Sequence, residues 1–253
     1  MRQITQSVGK VWAVVPAAGT GSRMGTAIKK QFMELAGVPI IARTITILDA
    51  CPIIDGIVVV TASEDMDQCQ EILLQKHRYH TPLHILPGGA TRQESVYLGL
   101  KALPSDCAFV LIHDGARPLV DPSLIEASVQ TAATWGGCIV AVPAKDTIKV
   151  ADDNGFVKET PPRQCLWNVQ TPQTFQYAEI LYAYEQAMAV MDLTHTDDSS
   201  IAERYGSIQI KLLQGSYSNI KITTPEDLTL AEQILRTQRP APTQTNCFNR
   251  IDS

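Results

Sequence analysis

Two glycines, an arginine and a lysine pair fall close together in Gly19-Thr20-Gly21-Ser22-Arg23 and Lys29-Lys30-Gln31. Glycines so placed let the backbone turn tightly and offer N–H groups to an anion, and Arg23 and Lys30 bring positive charge to the same place. That combination reads as a triphosphate cradle. Two common phosphate loops are excluded by spacing: a dinucleotide fingerprint needs a third glycine where Met24 stands, and a Walker loop needs Lys-Ser or Lys-Thr where the chain has Lys30-Gln31. A second candidate is His113-Asp114-Gly115-Ala116-Arg117-Pro118, in which a carboxylate follows a strongly apolar run and is better placed for ligand than for core. His113 reads as structural. No GxSxG elbow or HExxH pair is present, which removes the common hydrolase signatures.

The elements that must position these residues follow from hydrophobic pattern. Apolar, β-branched runs recur at 11–15, 57–61, 109–113 and 138–142, and helix-like stretches at 40–50 and 93–103 lie between them. The alternation predicts an α/β fold with three layers and a mostly parallel sheet. In such a sheet ligands sit beyond the carboxyl ends of the strands, so the glycine loop and the segment from His113 to Pro118 should converge on one crevice. Between Pro143 and Thr171 the alternation breaks, and Asp152-Asp153-Asn154-Gly155 makes a turn between 147–150 and 156–160, which predicts a projecting β-hairpin arm. A helix over 176–190, a strand over 208–213, an extended piece over 220–222 and a helix opened by Thr224-Pro225-Glu226-Asp227 complete the pattern. Residues 1–10 and 238–253 read as tails.

With 253 residues, 45% hydrophobic and 19% charged, the chain suits a single domain with a sizeable core. A net charge of −5 argues against nonspecific binding to nucleic acid or anionic membrane, so an anionic ligand must meet a local basic cluster. Six scattered cysteines without CxxC spacing suit reduced thiols. No signal-peptide arrangement and no apolar run of membrane-spanning length occur, so a cytoplasmic protein is expected.

Taken in order, the segments Pro16-Ala17-Ala18-Gly19-Thr20-Gly21-Ser22-Arg23-Met24, Lys30-Gln31, Gly88-Gly89 with Arg92 and Ser95-Val96, and His113 to Pro118 carry a family resemblance. It continues through Asp146-Thr147-Ile148-Lys149, Arg163, Gln170-Thr171-Pro172-Gln173, Thr196-Asp197-Asp198 and Asn219-Ile220-Lys221-Ile222-Thr223. From about Val11 to Leu235 the chain resembles the 2-C-methyl-D-erythritol 4-phosphate cytidylyltransferases. The resemblance implies a Rossmann-like nucleotidyltransferase fold and transfer of a cytidylyl group from CTP to methylerythritol phosphate, with release of pyrophosphate, in the non-mevalonate route to isoprenoid precursors. It implies that Arg23 and Lys30 stabilise the transition state, and that Arg163 and Lys221 hold the sugar phosphate. Ala18, Gly19, Gly89 and Ser95 would contact the nucleotide. Asp114, Arg117, Thr147, Thr171 and Thr196 would surround the acceptor, Mg²⁺ would ride on the CTP phosphates, and a homodimer would exchange arms. Ser95 also suits a helix cap or a solvent-facing position, Asp197-Asp198 suits a helix opening better than a metal site, and Lys221 also suits a strand edge. Lys29 competes with Lys30, although Gln31-Phe32 sets the register in favour of Lys30. Ile28 and Ala90 depart from the family's usual proline and aspartate. The lack of a further catalytic module after Arg236 predicts a single-function chain. The rival readings are a ribitol 5-phosphate cytidylyltransferase, against which Pro16-Ala17-Ala18-Gly19 speaks, and a noncatalytic nucleotide-binding protein.

Overall fold

The computed structural model describes residues 8–19 and 28–238. The first strand, β1 (Lys10–Pro16), alternates its side chains between two faces: Val11, Ala13 and Val15 enter one core and Val14 enters another. Strand β4 (Gly56–Thr61) does the same, with Ile57 and Val59 on one face and Val58 and Val60 on the other. Strands apolar on both faces must be covered on both faces, which is why this sheet sits as the middle of three layers. One covering layer holds α1 (Ile40–Asp49), α2 (Met66–Gln70) and α4 (Pro122–Trp135). The other holds α3 (Arg92–Lys101), α5 (Tyr177–Ala189) and α6 (Asp198–Tyr205). Each fully buried aliphatic side chain in these layers contributes roughly 1.5–3 kcal/mol. Gly99 allows α3 to lie close on the sheet, because a Cβ there would meet Val14 Cγ1 at 2.6 Å.

A short pair, β2 (Glu34–Leu35) and β3 (Val38–Pro39), precedes α1. The remaining strands of the main sheet are β5 (Leu83–Pro87), β6 (Cys107–Ile112), β7 (Gly136–Pro143), β10 (Trp167–Gln176) and β11 (Gln209–Gln214); β8 (Val150–Ala151) and β9 (Val157–Glu159) form a separate pair. The seven-stranded order is β11-β7-β10-β6-β1-β4-β5. From β1 the chain passes to β4 on one side and later to β6 on the other, which puts a topological switch point beside β1. The predicted strands over 11–15, 57–61, 109–113 and 138–142 are all present within a residue or two at their ends.

The structure corrects three local expectations. The irregular stretch is shorter than 143–171, because β10 already begins at Trp167 and runs antiparallel to both β6 and β7 in the sheet interior. The hairpin pairs only as β8 and β9, since its residues are exposed and no core pins a longer register. Its turn is as expected: Asp152 Oδ1 accepts from Asn154 N and Phe156 N at 3.0 and 2.9 Å, and Gly155 takes φ +84°. The expected short piece at 220–222 belongs to no strand of the sheet, and Ile222 N donates to Ala116 O at 2.9 Å. Lys10 belongs to β1 rather than to a tail; residues 1–7 and 239–253 lie outside the described residues. The last helix, α7 (Pro225–Gln238), starts where its opening residues place it.

Candidate functional site

At the carboxyl end of β1 the chain continues through Ala17, Ala18 and Gly19, with Ala17 N anchored to Val60 O at 2.7 Å. These residues form one wall of a cleft of about 300 Å³. Arg23 and Gly21 lie outside the described residues. Lys30 and Gln31 close the same wall from a short 3-10 turn, Lys30–Phe32. Lys29 does not compete for the cleft, because its ammonium is held by Glu64 and Asp65 at 2.8 Å each.

The opposite wall is Gly89, Ala90, Thr91 and the start of α3. Thr91 caps this helix in a reciprocal box: Glu94 N donates to Thr91 Oγ1 at 3.1 Å and Thr91 N donates to Glu94 Oε2 at 2.8 Å. Ser95 is therefore neither the cap nor solvent-facing. It is buried, donates to Thr91 O at 2.9 Å and accepts from Gly89 N at 3.2 Å, so it shapes the Gly88-Gly89 loop. A side chain at Gly89 would run into Glu94, and glycine here keeps bare backbone on the cleft wall. The N-terminus of α3 adds partial positive charge to that wall.

A second cleft, of about 460 Å³, adjoins the first and shares Arg92, Asp114 and Lys221 with it. Asp114 stands just beyond β6 and is buried. Lys221 Nζ lies 2.9 Å from its Oδ2, Arg92 Nη2 3.4 Å from its Oδ1 and Arg117 Nε 3.5 Å from its Oδ2. Burial opposes ionisation of Asp114, but the charges of Arg92, Lys221 and Arg117 outweigh it and hold the carboxyl well below the usual carboxylate range. Lys221, Arg117 and Arg92 thus all face Asp114, with Arg92 also held by Asp198, so these three cations outnumber the two carboxylates by one. Arg117 and Thr196 border the second cleft.

His113 supports this arrangement from beneath. Its Nε2 faces Arg117 O at 3.1 Å, and a carbonyl only accepts, so Nε2 carries the proton. Burial pushes its pKa down to about 4, leaving the ring neutral with Nδ1 as acceptor. The Thr171 hydroxyl therefore donates to Nδ1 at 2.9 Å while accepting from Asp114 N at 3.1 Å. Thr171 spends its one proton internally, so it fixes the Asp114 backbone instead of donating into the cleft. Lys221 is steadied by the neighbouring Asn219, whose Nδ2 donates to Thr171 O at 2.9 Å and whose carbonyl accepts from Arg117 Nη1 at 2.7 Å.

One clamp was not legible in spacing. Arg92 donates through Nη1 and Nη2 to the two oxygens of fully buried Asp198, at 2.9 and 2.8 Å, and Tyr184 Oη donates to Oδ1 of the same carboxylate at 2.6 Å. Asp197 caps α6, accepting from Ser200 N at 3.1 Å, so Asp197-Asp198 opens a helix as expected. The Thr-x-x-Glu pattern of residues 91–94 is a sequence signal that could have located the α3 cap; the Arg92 partnership has no such signal.

The family model described as 2-C-methyl-D-erythritol 4-phosphate cytidylyltransferase (IspD) matches residues 11–237. The chain belongs to this family. It is accordingly a nucleotidyltransferase. Among curated relatives, the 2-C-methyl-D-erythritol 4-phosphate cytidylyltransferase of Alkaliphilus oremlandii is 45% identical over 234 residues, covering 92% of this chain and 98% of the relative. That of Desulforamulus reducens is 47% identical over 229 residues, covering 90% and 97%. A solved 4-diphosphocytidyl-2C-methyl-D-erythritol synthase from Anaerococcus prevotii superposes with a TM-score of 0.80 at 33% identity, covering 90% of this chain and 97% of that one. Against the sites the family resemblance implied, the structure gathers Ala18, Gly19, Lys30, Gly89, Ser95, Asp114, Arg117, Thr171, Thr196 and Lys221 about the two clefts. It does not bring Arg163 and Thr147 there. Arg163 lies exposed beyond the hairpin, donating to Lys145 O at 3.1 Å and lining a separate recess with Pro143 and Gln164, and Thr147 is exposed at the hairpin's base.

Proposed function

We propose that this family member transfers the cytidylyl group of CTP to 2-C-methyl-D-erythritol 4-phosphate, forming 4-diphosphocytidyl-2-C-methyl-D-erythritol and pyrophosphate. The reading rests above all on the two contiguous clefts at the carboxyl ends of β1 and β6, joined by Arg92, Asp114 and Lys221. The smaller, between the Ala17–Gly19 wall and the capped α3, suits the nucleotide; the larger, rimmed by Thr196 and Arg117, suits a phosphorylated polyol. An oxygen of the acceptor phosphate, already ionised at neutral pH, attacks the α-phosphorus in line with the departing pyrophosphate. No covalent protein nucleophile is needed, and a general base has little to do. What the reaction requires is neutralised repulsion and fixed alignment.

Each residue has a part in that task. Lys30, with Arg23, neutralises the α-phosphate and the leaving pyrophosphate. Lys221, anchored by Asp114, takes the acceptor phosphate at the junction of the clefts. Ala18, Gly19 and the Gly89 backbone, shaped by Ser95, meet the nucleotide and distinguish cytosine by its exocyclic amine. Asp114, Arg117 and Thr196 meet the acceptor hydroxyls, with Thr171 holding Asp114 in register. Magnesium would be carried by the nucleotide phosphates, with Asp114 the carboxylate that faces both clefts. When bound, it supplies charge neutralisation at the phosphates.

The hairpin is read as an arm that enters a second copy, giving a homodimer with shared sites. Arg163 and Thr147 stand away from their own clefts, and the arm presents Phe156 and Val157 at 73% and 63% exposure, an unusual cost for a monomer. Residues 11–237 are read as one catalytic unit in the cytoplasm, acting on small molecules rather than nucleic acid; among the described residues no helix is long and apolar enough to cross a membrane. The test is pyrophosphate release from CTP and Mg²⁺ with methylerythritol phosphate or ribitol 5-phosphate as acceptor. Release with the first alone is expected. Preference for ribitol phosphate would overturn the acceptor assignment, and CTP binding without release on either would favour a noncatalytic role.

A further inference from the structure

Gln31 is the middle residue of the Lys30–Phe32 turn and is buried to 2% exposure. Its amide offers two donor hydrogens and an acceptor oxygen, yet neither Nε2 nor Oε1 has a partner among the described residues. Native interiors rarely leave such a group unmet, and a fully orphaned amide calls for a function. The turn does not depend on it: Phe32 N donates to Lys29 O at 2.9 Å and Met33 N to Lys30 O at 3.2 Å. A purely structural role would be better served by an apolar side chain of similar length, which would carry no unmet polar atoms.

The residue lines the nucleotide-side cleft directly beside Lys30. We propose that Gln31 is a nucleotide-binding residue whose amide is completed by the substrate: on CTP binding it turns toward the cleft and Nε2 donates to a phosphate oxygen. Phosphate oxygens only accept, so they match the unmet N–H donors, and the neighbouring ammonium of Lys30 marks this wall as the polyanion's side. Among the described residues the amide is desolvated and meets no partner, and that cost is recovered in the complex. The inference rests on the cytidylyltransferase reading above and deepens it.

The test compares Gln31→Met, which keeps length and volume but removes both polar ends, with Gln31→Glu, which replaces the donor by a negative charge. Three quantities are read in each: Tm without nucleotide, Kd for CTP by calorimetric titration, and the separate KM values for CTP and acceptor. For Gln31→Met we expect an unchanged or higher Tm in the absence of CTP, about a tenfold or greater rise in Kd and KM for CTP, and an unchanged acceptor KM. For Gln31→Glu we expect weaker CTP binding still. Wild-type CTP affinity in the Met variant would overturn the proposal, as would a Glu variant that binds CTP as well as the Met variant does. A Tm loss in both variants with CTP binding unaltered would assign Gln31 to the fold and overturn it as well. Failure of the wild-type protein to release pyrophosphate from CTP would instead overturn the underlying reading, which the wild-type assay run alongside reports separately.

Discussion

Replacing Asp198 by asparagine tests whether the junction of the two clefts is held by one buried clamp. Asp198 is fully buried, both its oxygens take Arg92 at 2.8 and 2.9 Å, and Oδ1 also takes Tyr184 Oη at 2.6 Å. Asparagine keeps the shape but turns one acceptor into a donor facing the guanidinium and removes the counter-charge. Breaking a buried ion pair from one side costs about 3–5 kcal/mol. The Arg92 side chain keeps 31% exposure, so water recovers part of its loss and the lower end, about 3 kcal/mol, is expected. Removing only the phenol hydroxyl with Tyr184→Phe should cost less, about 1.5–3 kcal/mol, because the bidentate pair survives. The double variant should fall short of the sum, since both act on the same carboxylate. Urea unfolding of the four proteins gives these values. Because Arg92 borders both clefts, the KM values for CTP and for the acceptor should both rise in Asp198→Asn. A stability loss under about 1 kcal/mol with both KM values unchanged would refute the clamp.

Lys30→Ala should lower turnover by ~10²–10³ with the fold intact, whereas Lys29→Ala, which loses only the contacts to Glu64 and Asp65, should leave turnover near wild type; steady-state pyrophosphate release separates the two. Arg163→Ala and Lys30→Ala proteins, each nearly inactive alone, should regain about a quarter of wild-type activity after subunit mixing if the arm serves the partner's site, because each mixed dimer then holds one intact site; no recovery after demonstrated exchange would place Arg163 in its own subunit's site. Burial lowers the folded-state pKa of His113 from 6.5 to about 4, so its contribution to stability is complete above pH 6.5 and is lost as the pH falls to about 4. Wild-type unfolding free energy should therefore drop by roughly 3 kcal/mol more than that of His113→Asn across this window, and parallel curves would remove the buried neutral imidazole from the account.

The sequence carried the sheet, the turn and the last helix because each is signalled locally. A β-branched run such as Val11–Val15 has to be a strand covered on both faces, the turn over residues 152–155 has to reverse the chain, and Thr224-Pro225-Glu226-Asp227 has to open a helix. Even so, β10 escaped notice. Its segment mixes Gln, Asn and Thr with little apolar run, and it is a sheet strand because β6 and β7 flank it, not because of its own propensity. Ser95 and Thr171 were legible as residues with hydroxyls near a site. Whether a hydroxyl faces ligand or backbone depends on where its one proton goes, and for both it goes inward.

Charge compensation was the tertiary structure's own decision. Arg92 and Asp198 are separated by 106 residues, and Asp114 meets Lys221 from an equally remote segment. No periodicity links such partners; they find each other because a buried charge must be matched by whatever the fold brings within reach. The same holds in reverse for Gln31 and Lys29, adjacent to Lys30 in sequence. Only the packed structure turns Lys29 toward Glu64 and Asp65, leaves the Gln31 amide without a partner among the described residues, and puts Lys30 on the wall of the cleft.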